Sequence, residues 1–129
     1  MILIDTSAWV EFLRDTGSAT SDRVDALLEH EIATCHPIRM EVLAGARDEQ
    51  HLADLRGLLA RASLLPTEPP DYEAAAALYR TCRRGGETVR KLIDCLIAAT
   101  AIRSAVPILH SDNDFDVLAR HTPLSIEPP

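Results

Sequence analysis

Cysteine is scarce in this 129-residue chain, and the three present, Cys35, Cys82 and Cys95, form an odd set with no C-x-x-C pair. That excludes a disulfide framework and a zinc ribbon and suits a reducing compartment. Long apolar runs are missing as well. No stretch is long and apolar enough to span a bilayer, and the chain does not start with a basic segment followed by a long apolar run. Neither a membrane anchor nor a signal peptide is expected, and the expected location is the cytoplasm. There is no P-loop, no dinucleotide fingerprint and no G-x-S-x-G elbow, which removes the commonest nucleotide-binding and serine-hydrolase readings. Positive charge is in deficit: 13 Lys and Arg stand against 20 Asp and Glu, for a net charge of −7. A deficit of this kind argues against a phosphate-backbone partner. The argument weakens if acids converge on a metal, because discounting five of them brings −7 to −2, and bound divalent cations reverse the local potential.

The apolar content of 47% is enough for one domain, residues 1–129, to bury a core without covalent staples. Short apolar runs alternate with helical stripes. Strands are expected at residues 2–5, in "EIATC", in "LLPTEPP" ahead of a proline-rich turn and in "PILHSD", with "LSIE" as the candidate last strand. Helices are expected at residues 7–14 and 20–30, from Pro37 to Gly45, along the leucines at 52, 55, 58 and 59, in "DYEAAAALYRTCRR", from "TVRKLIDCLIAATAIRS", and in "NDFDVLARH". This alternation predicts an α/β domain around a mostly parallel sheet. In such sheets, sites lie at the carboxyl ends of the strands.

The candidate site is read from carboxylates. Asp5 ends the first strand, where it is either a helix cap beside Thr6 and Ser7 or a functional acid. Asp94 lies in "VRKLIDCLIAATAI", a helix apolar nearly all round, on one stripe with Ile97, Ala98 and Ala101. A carboxylate pressed inward there must be paired, protonated or metal-bound. The ordinary explanation is a salt bridge to Arg90 or Lys91. Glu41 sits mid-helix in "PIRMEVLAGA", where an exposed glutamate is the ordinary reading. In "HSDNDFD", Ser111 and Asp114 have the spacing of a capping box, which leaves Asp112 unexplained and Asp116 as a solvated first-turn acid. As ligands these acids form an oxygen-only set, which selects Mg²⁺ or Mn²⁺ over zinc. None of the five histidines pairs at metal-ligand spacing on a helix.

The segments "ILIDTSAWVE", "PIRMEVLAG", "LIDCLIAATAI" and "ILHSDNDF" resemble the four signature segments of PIN-domain ribonucleases, and more narrowly those of the VapC toxins of bacterial toxin–antitoxin pairs. The resemblance covers essentially the whole chain in order. It implies a single PIN domain, with four to five short strands flanked by about seven helices, and Mg²⁺- or Mn²⁺-dependent endonuclease action on RNA such as tRNA, rRNA or mRNA. It implies that Asp5, Glu41, Asp94 and Asp112 form the acidic quartet, with Asp114 an additional acid. Asp5, Asp94, Asp112 and Asp114 are then the metal-binding set, and Glu41 handles the attacking water. It also implies a homodimer and a VapB-like antitoxin as partner. One departure is visible: many relatives carry arginine between the last two acids, where this chain has Asn113.

Thr6 and Ser7 are candidates to position a carboxylate or the scissile phosphate. Arg80, Arg83, Arg84, Arg90 and Lys91 around Gly85 and Gly86 read as a grip on RNA or as a solvated turn. Trp9, Phe12 and Leu13 form an apolar ridge that either packs inward or anchors the partner, and for Trp9 a mixed outcome is expected, one edge of the indole packed inside and the other covered by the partner. Two competing functions are a metal-binding regulatory module and a phosphatase of the haloacid dehalogenase kind. The latter needs a second aspartate where this chain has Ser7.

Overall fold

The computed structural model describes residues 1–129. Eleven elements follow in order: β1 (Ile2–Ile4), α1 (Thr6–Leu13), α2 (Ala19–Leu27), β2 (Ile32–Cys35), α3 (His36–Ala44), α4 (Glu49–Leu59), β3 (Ser63–Leu65), α5 (Pro69–Arg84), α6 (Leu92–Ser104), β4 (Ile108–Leu109) and α7 (Asn113–His121). The four strands form one sheet in the order β3-β2-β1-β4, parallel at every pairing. The chain steps outward from β1 through β2 to β3 and then returns to the other side of β1 for β4. The order therefore reverses between β1 and β4, and a crevice opens at their carboxyl ends.

Strands β1, β2 and β4 are largely apolar and buried, as strands of a parallel sheet covered by helices are. Leu3, Ile4, Ile32, Ile108 and Leu109 are buried, and so are Trp9 of α1, Ile97 of α6, and Phe115 and Leu118 of α7. Helix α6 packs against α5 and buries Cys95, Ile97, Ala98, Ala99, Thr100 and Ala101. Its small residues let neighbouring backbones approach, and Thr100 satisfies its hydroxyl by donating to the Leu96 carbonyl at 3.1 Å. At the far end, Arg103 donates to both oxygens of Asp71, at 2.8 and 3.0 Å. A paired guanidinium–carboxylate of this kind fixes direction as well as distance.

Four sequence expectations are corrected by the structure. The helix carrying Asp94 begins at Leu92 and not at Thr88, because the Arg90 and Lys91 amides turn away to donate to the Asp114 carboxylate, each at 3.0 Å. Pro69 and Pro70 open α5 and are not part of a turn. Proline is tolerated in a first helical turn, and Glu68 and Asp71 complete a capping box there. The segment "LSIE" contributes one bridge, Ile126 to Ile108. Pro123, Pro128 and Pro129 bracket it and cannot donate to a ladder. Finally, Trp9 offers no exposed edge. It meets Phe12 edge to face with 6.3 Å between ring centroids and belongs to the core, so the expectation that it anchors a partner is withdrawn. Phe12 is half-buried and Leu13 exposed.

Candidate active site

The acids reach the crevice from separate parts of the fold, and only Asp112 and Asp114 share an element, α7. Asp5 leaves β1 in extended conformation and caps α1, accepting from the Ser7 amide at 2.9 Å and the Ser7 hydroxyl at 2.6 Å. The capping and functional readings of Asp5 are thus compatible. Oδ2 does the capping, while Oδ1 is buried with no hydrogen-bond partner. The Ser7 hydroxyl in turn accepts from the Ser111 amide at 2.9 Å, which ties the start of α1 to the loop after β4. Thr6 donates to Glu41 Oε1 at 2.8 Å. The two hydroxyls each hold one carboxylate.

Asp94 lies on the first turn of α6, Asp112 caps α7, and Asp114 follows inside α7. Their carboxylate oxygens lie within 4.8 Å of one another. Asp5, Glu41 and Asp94 line one cleft with Thr6, Ser7 and Lys91. The expected capping box of Ser111 with Asp114 does not form. Asp112 is the cap, accepting from the Asp114 amide at 2.9 Å, because its backbone is extended and Asp114 is already occupied by the Arg90 and Lys91 amides. The Ser111 hydroxyl instead reaches Glu11 at 3.4 Å. Glu11 also lines the cleft and was not singled out in the sequence. Its position one helical turn after Ser7, on the same face of α1, is the signal that could have found it. Asp116 is exposed, as expected.

The salt bridge anticipated for Asp94 is present only weakly, with Lys91 Nζ at 3.8 Å. Lys91 lies nearer to Asp112, at 3.0 Å, and Arg90 lies 3.3 Å from Asp112 and 3.5 Å from Asp114. Two of the five cations read as a patch around the glycine turn therefore face the acids. Arg83 instead stacks over the Tyr79 ring, 5.5 Å from its centroid.

These surroundings set the charges. Burial, and the Asp114 carboxylate alongside, push Asp94 up to about 8. Burial likewise raises Asp5 against the pull of its Ser7 hydrogen bonds. Asp112 and Asp114 are held below the ordinary range: the backbone amides and the Arg90 and Lys91 charges outweigh their desolvation. An acid that ionises only with difficulty and two buried carboxylate oxygens without donors, Asp5 Oδ1 and Asp94 Oδ2, are groups that a bound cation would satisfy. With oxygen as the only donor type, the set fits Mg²⁺ or Mn²⁺.

The same charges set the dependence of stability on pH. Without a divalent cation, the folded chain keeps the Asp94 proton up to about pH 8, whereas the unfolded chain releases it near 3.8. The folded state binds more protons in that window, so stability falls as pH rises through it, by up to about 1.4 kcal/mol per pH unit. Below the window the sign reverses, because the lowered Asp112 and Asp114 lose their stabilisation on protonation. Thermal melts between about pH 5 and pH 8 should show the fall, and saturating Mn²⁺ should abolish it. A metal-free melting temperature flat across that range rules out a buried neutral carboxyl.

The model of the PIN domain matches residues 2–121. Ribonuclease VapC11 of Mycobacterium tuberculosis is 52% identical over 128 residues, 96% of each chain, and a VapC ribonuclease of Mycobacterium bovis matches to the same extent. Among solved structures, the VapBC2 complex of Rickettsia felis bound to a DNA fragment from its promoter superposes with a TM-score of 0.78 at 20% identity, covering 98% of both chains. VapC20 of M. tuberculosis, described as a toxin cleaving the sarcin–ricin loop, gives 0.70 at 15% identity over 99% of this chain and 100% of that one. No helix is long and apolar enough to cross a membrane.

Proposed function

Because this chain belongs to the PIN-domain family and has VapC ribonucleases as relatives at 52% identity over nearly its full length, we propose that it is a metal-dependent endoribonuclease, the toxin of a type II toxin–antitoxin pair. The observation that carries the reading is the convergence of Asp94, Asp112 and Asp114 beside two buried, unpartnered carboxylate oxygens. Asp5, Asp94, Asp112 and Asp114 would hold Mg²⁺ or Mn²⁺. The bound cation supplies Lewis acidity, offsetting charge on the scissile phosphate and making an attacking water more acidic.

The chain's own groups do the rest. The Thr6 hydroxyl holds Glu41 by Oε1, which leaves Oε2 to orient the water and take its proton. The water oxygen bonds to phosphorus as the bond to the 3′ oxygen breaks. The products are a 5′-phosphate and a 3′-hydroxyl, the latter protonated from solvent. Ser7 keeps Asp5 and the Ser111 loop in register. Arg90 and Lys91 balance the acids and would meet the RNA backbone there, while Arg80, Arg83 and Arg84 are exposed near the end of α5.

In the cytoplasm, the proposed partners are RNA, a VapB-like antitoxin and a second copy of the chain. Purified protein should cut RNA with Mg²⁺ or Mn²⁺ and stop with EDTA. Its expression should arrest growth, and a co-expressed antitoxin should relieve the arrest. Sequencing the new RNA ends identifies the target. Equal growth arrest by wild type and Asp5→Ala overturns the assignment of toxicity to this site.

A further inference from the structure

A second cavity, of about 340 Å³, opens beside the acid cleft between α1, α3 and the start of α4. The two share Thr6, Val10 and Glu41, so the Thr6–Glu41 hydrogen bond forms the sill between them. Its walls are apolar, from Val10, Leu13, Val42 and Leu55, and its polar groups beyond the sill are the cations Arg14 and Arg47 and the imidazole of His51. Neither arginine forms an ion pair within the chain, although acids outnumber bases 20 to 13. The His51 Nδ1 accepts from the Arg47 amide at 3.0 Å, which leaves the proton of a neutral ring on Nε2. Away from Glu41, the rim therefore presents hydrogen-bond donors against an apolar floor.

We propose that this cavity is a nucleotide subsite: it takes the residue of single-stranded RNA next to the scissile phosphate. The inference rests on the ribonuclease reading above. A strand whose phosphate lies among the carboxylates must continue past the sill. There, Arg14 and Arg47 meet the next phosphates while the base lies against Val10, Leu13 and Leu55. An apolar floor with donors at the rim matches the two halves of a nucleotide, and a volume of this size holds one nucleotide and not a duplex. The subsite selects single strands and gives the enzyme a preference at one position beside the cut. An acidic protein segment would meet the same donors. RNA is favoured because the cavity continues the cleft through which the substrate passes.

The test is fluorescence anisotropy of a short single-stranded RNA in EDTA, titrated with NaCl, on wild type and on the Arg14→Ala/Arg47→Ala double variant. Both arginines are exposed and unpaired, so the variant should fold. Two lost phosphate contacts should weaken binding about tenfold and lower the salt slope by about 1.4, at roughly 0.7 per phosphate on a single strand. Hydrolysis of bis(p-nitrophenyl) phosphate with Mn²⁺ should not change, since that substrate has no flanking nucleotide. Arg56→Ala, an exposed arginine outside the cavity, should bind RNA like wild type. Equal RNA affinity and salt slope in the double variant overturn the proposal. Equal RNA affinity with lost binding of a polyglutamate peptide overturns it too and reassigns the cavity to a protein segment. If wild type hydrolyses neither RNA nor the phosphodiester, the ribonuclease reading fails, and the anisotropy comparison still decides the cavity.

Discussion

Asp94→Asn is expected to lower RNA cleavage at least about a hundredfold, by the scale of losses when a metal ligand's support or a transition-state contact is removed, while the protein stays folded. The side chain is nearly isosteric, and the buried position that pushes the acid up to about 8 already favours a neutral group there. The asparagine amide stands beside the Asp114 carboxylate and can donate to it. In the metal-free protein the substitution should remove the fall in stability between about pH 5 and pH 8, so its melting temperature should exceed that of wild type by an amount that grows with pH, at about 2–8 °C per kcal/mol for a domain of this size. Mn²⁺ titrations followed by thermal shift should show weakened binding. Cleavage at the wild-type rate in Asp94→Asn would remove the metal site from the mechanism. An unfolded variant would contradict the neutral buried carboxyl.

Trp9→Ala is expected to cost about 3–5 kcal/mol of stability, the range for deleting a large aromatic from a packed core. Against a typical total of about 5–15 kcal/mol, that is a severe loss. Trp9 has no exposed surface, and it sits on the helix whose first turn carries Thr6 and Ser7. The cavity left behind loosens the element that holds Glu41 and Asp5. Denaturant unfolding should give a lower midpoint with unchanged slope, and cleavage should fall with the folded fraction. Trp9→Phe should recover much of the loss, helped by the absence of any hydrogen bond from the indole nitrogen. A Trp9→Ala protein as stable as wild type is incompatible with the packing seen here.

Local pattern determined a large share of this protein. Alternating apolar runs and helical stripes were sufficient for the α/β class, for most elements to within a few residues, and for Asp94 as an acid that burial makes abnormal. The signature segments carried the family. Where readings failed, the competing interaction came from elsewhere in the chain. The capping box at Ser111 gave way because Asp114 was taken by amides of the segment before α6, and the same bonds delayed the start of that helix. Trp9 could not be placed from its own helix, because an apolar ridge looks the same whether the core or a partner covers it. Lys91 and Arg90 read as a patch around the glycine turn or as partners for Asp94, and the tertiary structure sets both nearest to Asp112. The site itself belongs to the strand order. Placing β4 beside β1 joins Ser7 to Ser111 across 104 positions and brings Asp5 and Asp112 to one crevice. Spacing along a chain is a local quantity, whereas the convergence of four carboxylates depends on which strands become neighbours, and that is decided by burying the whole core at once.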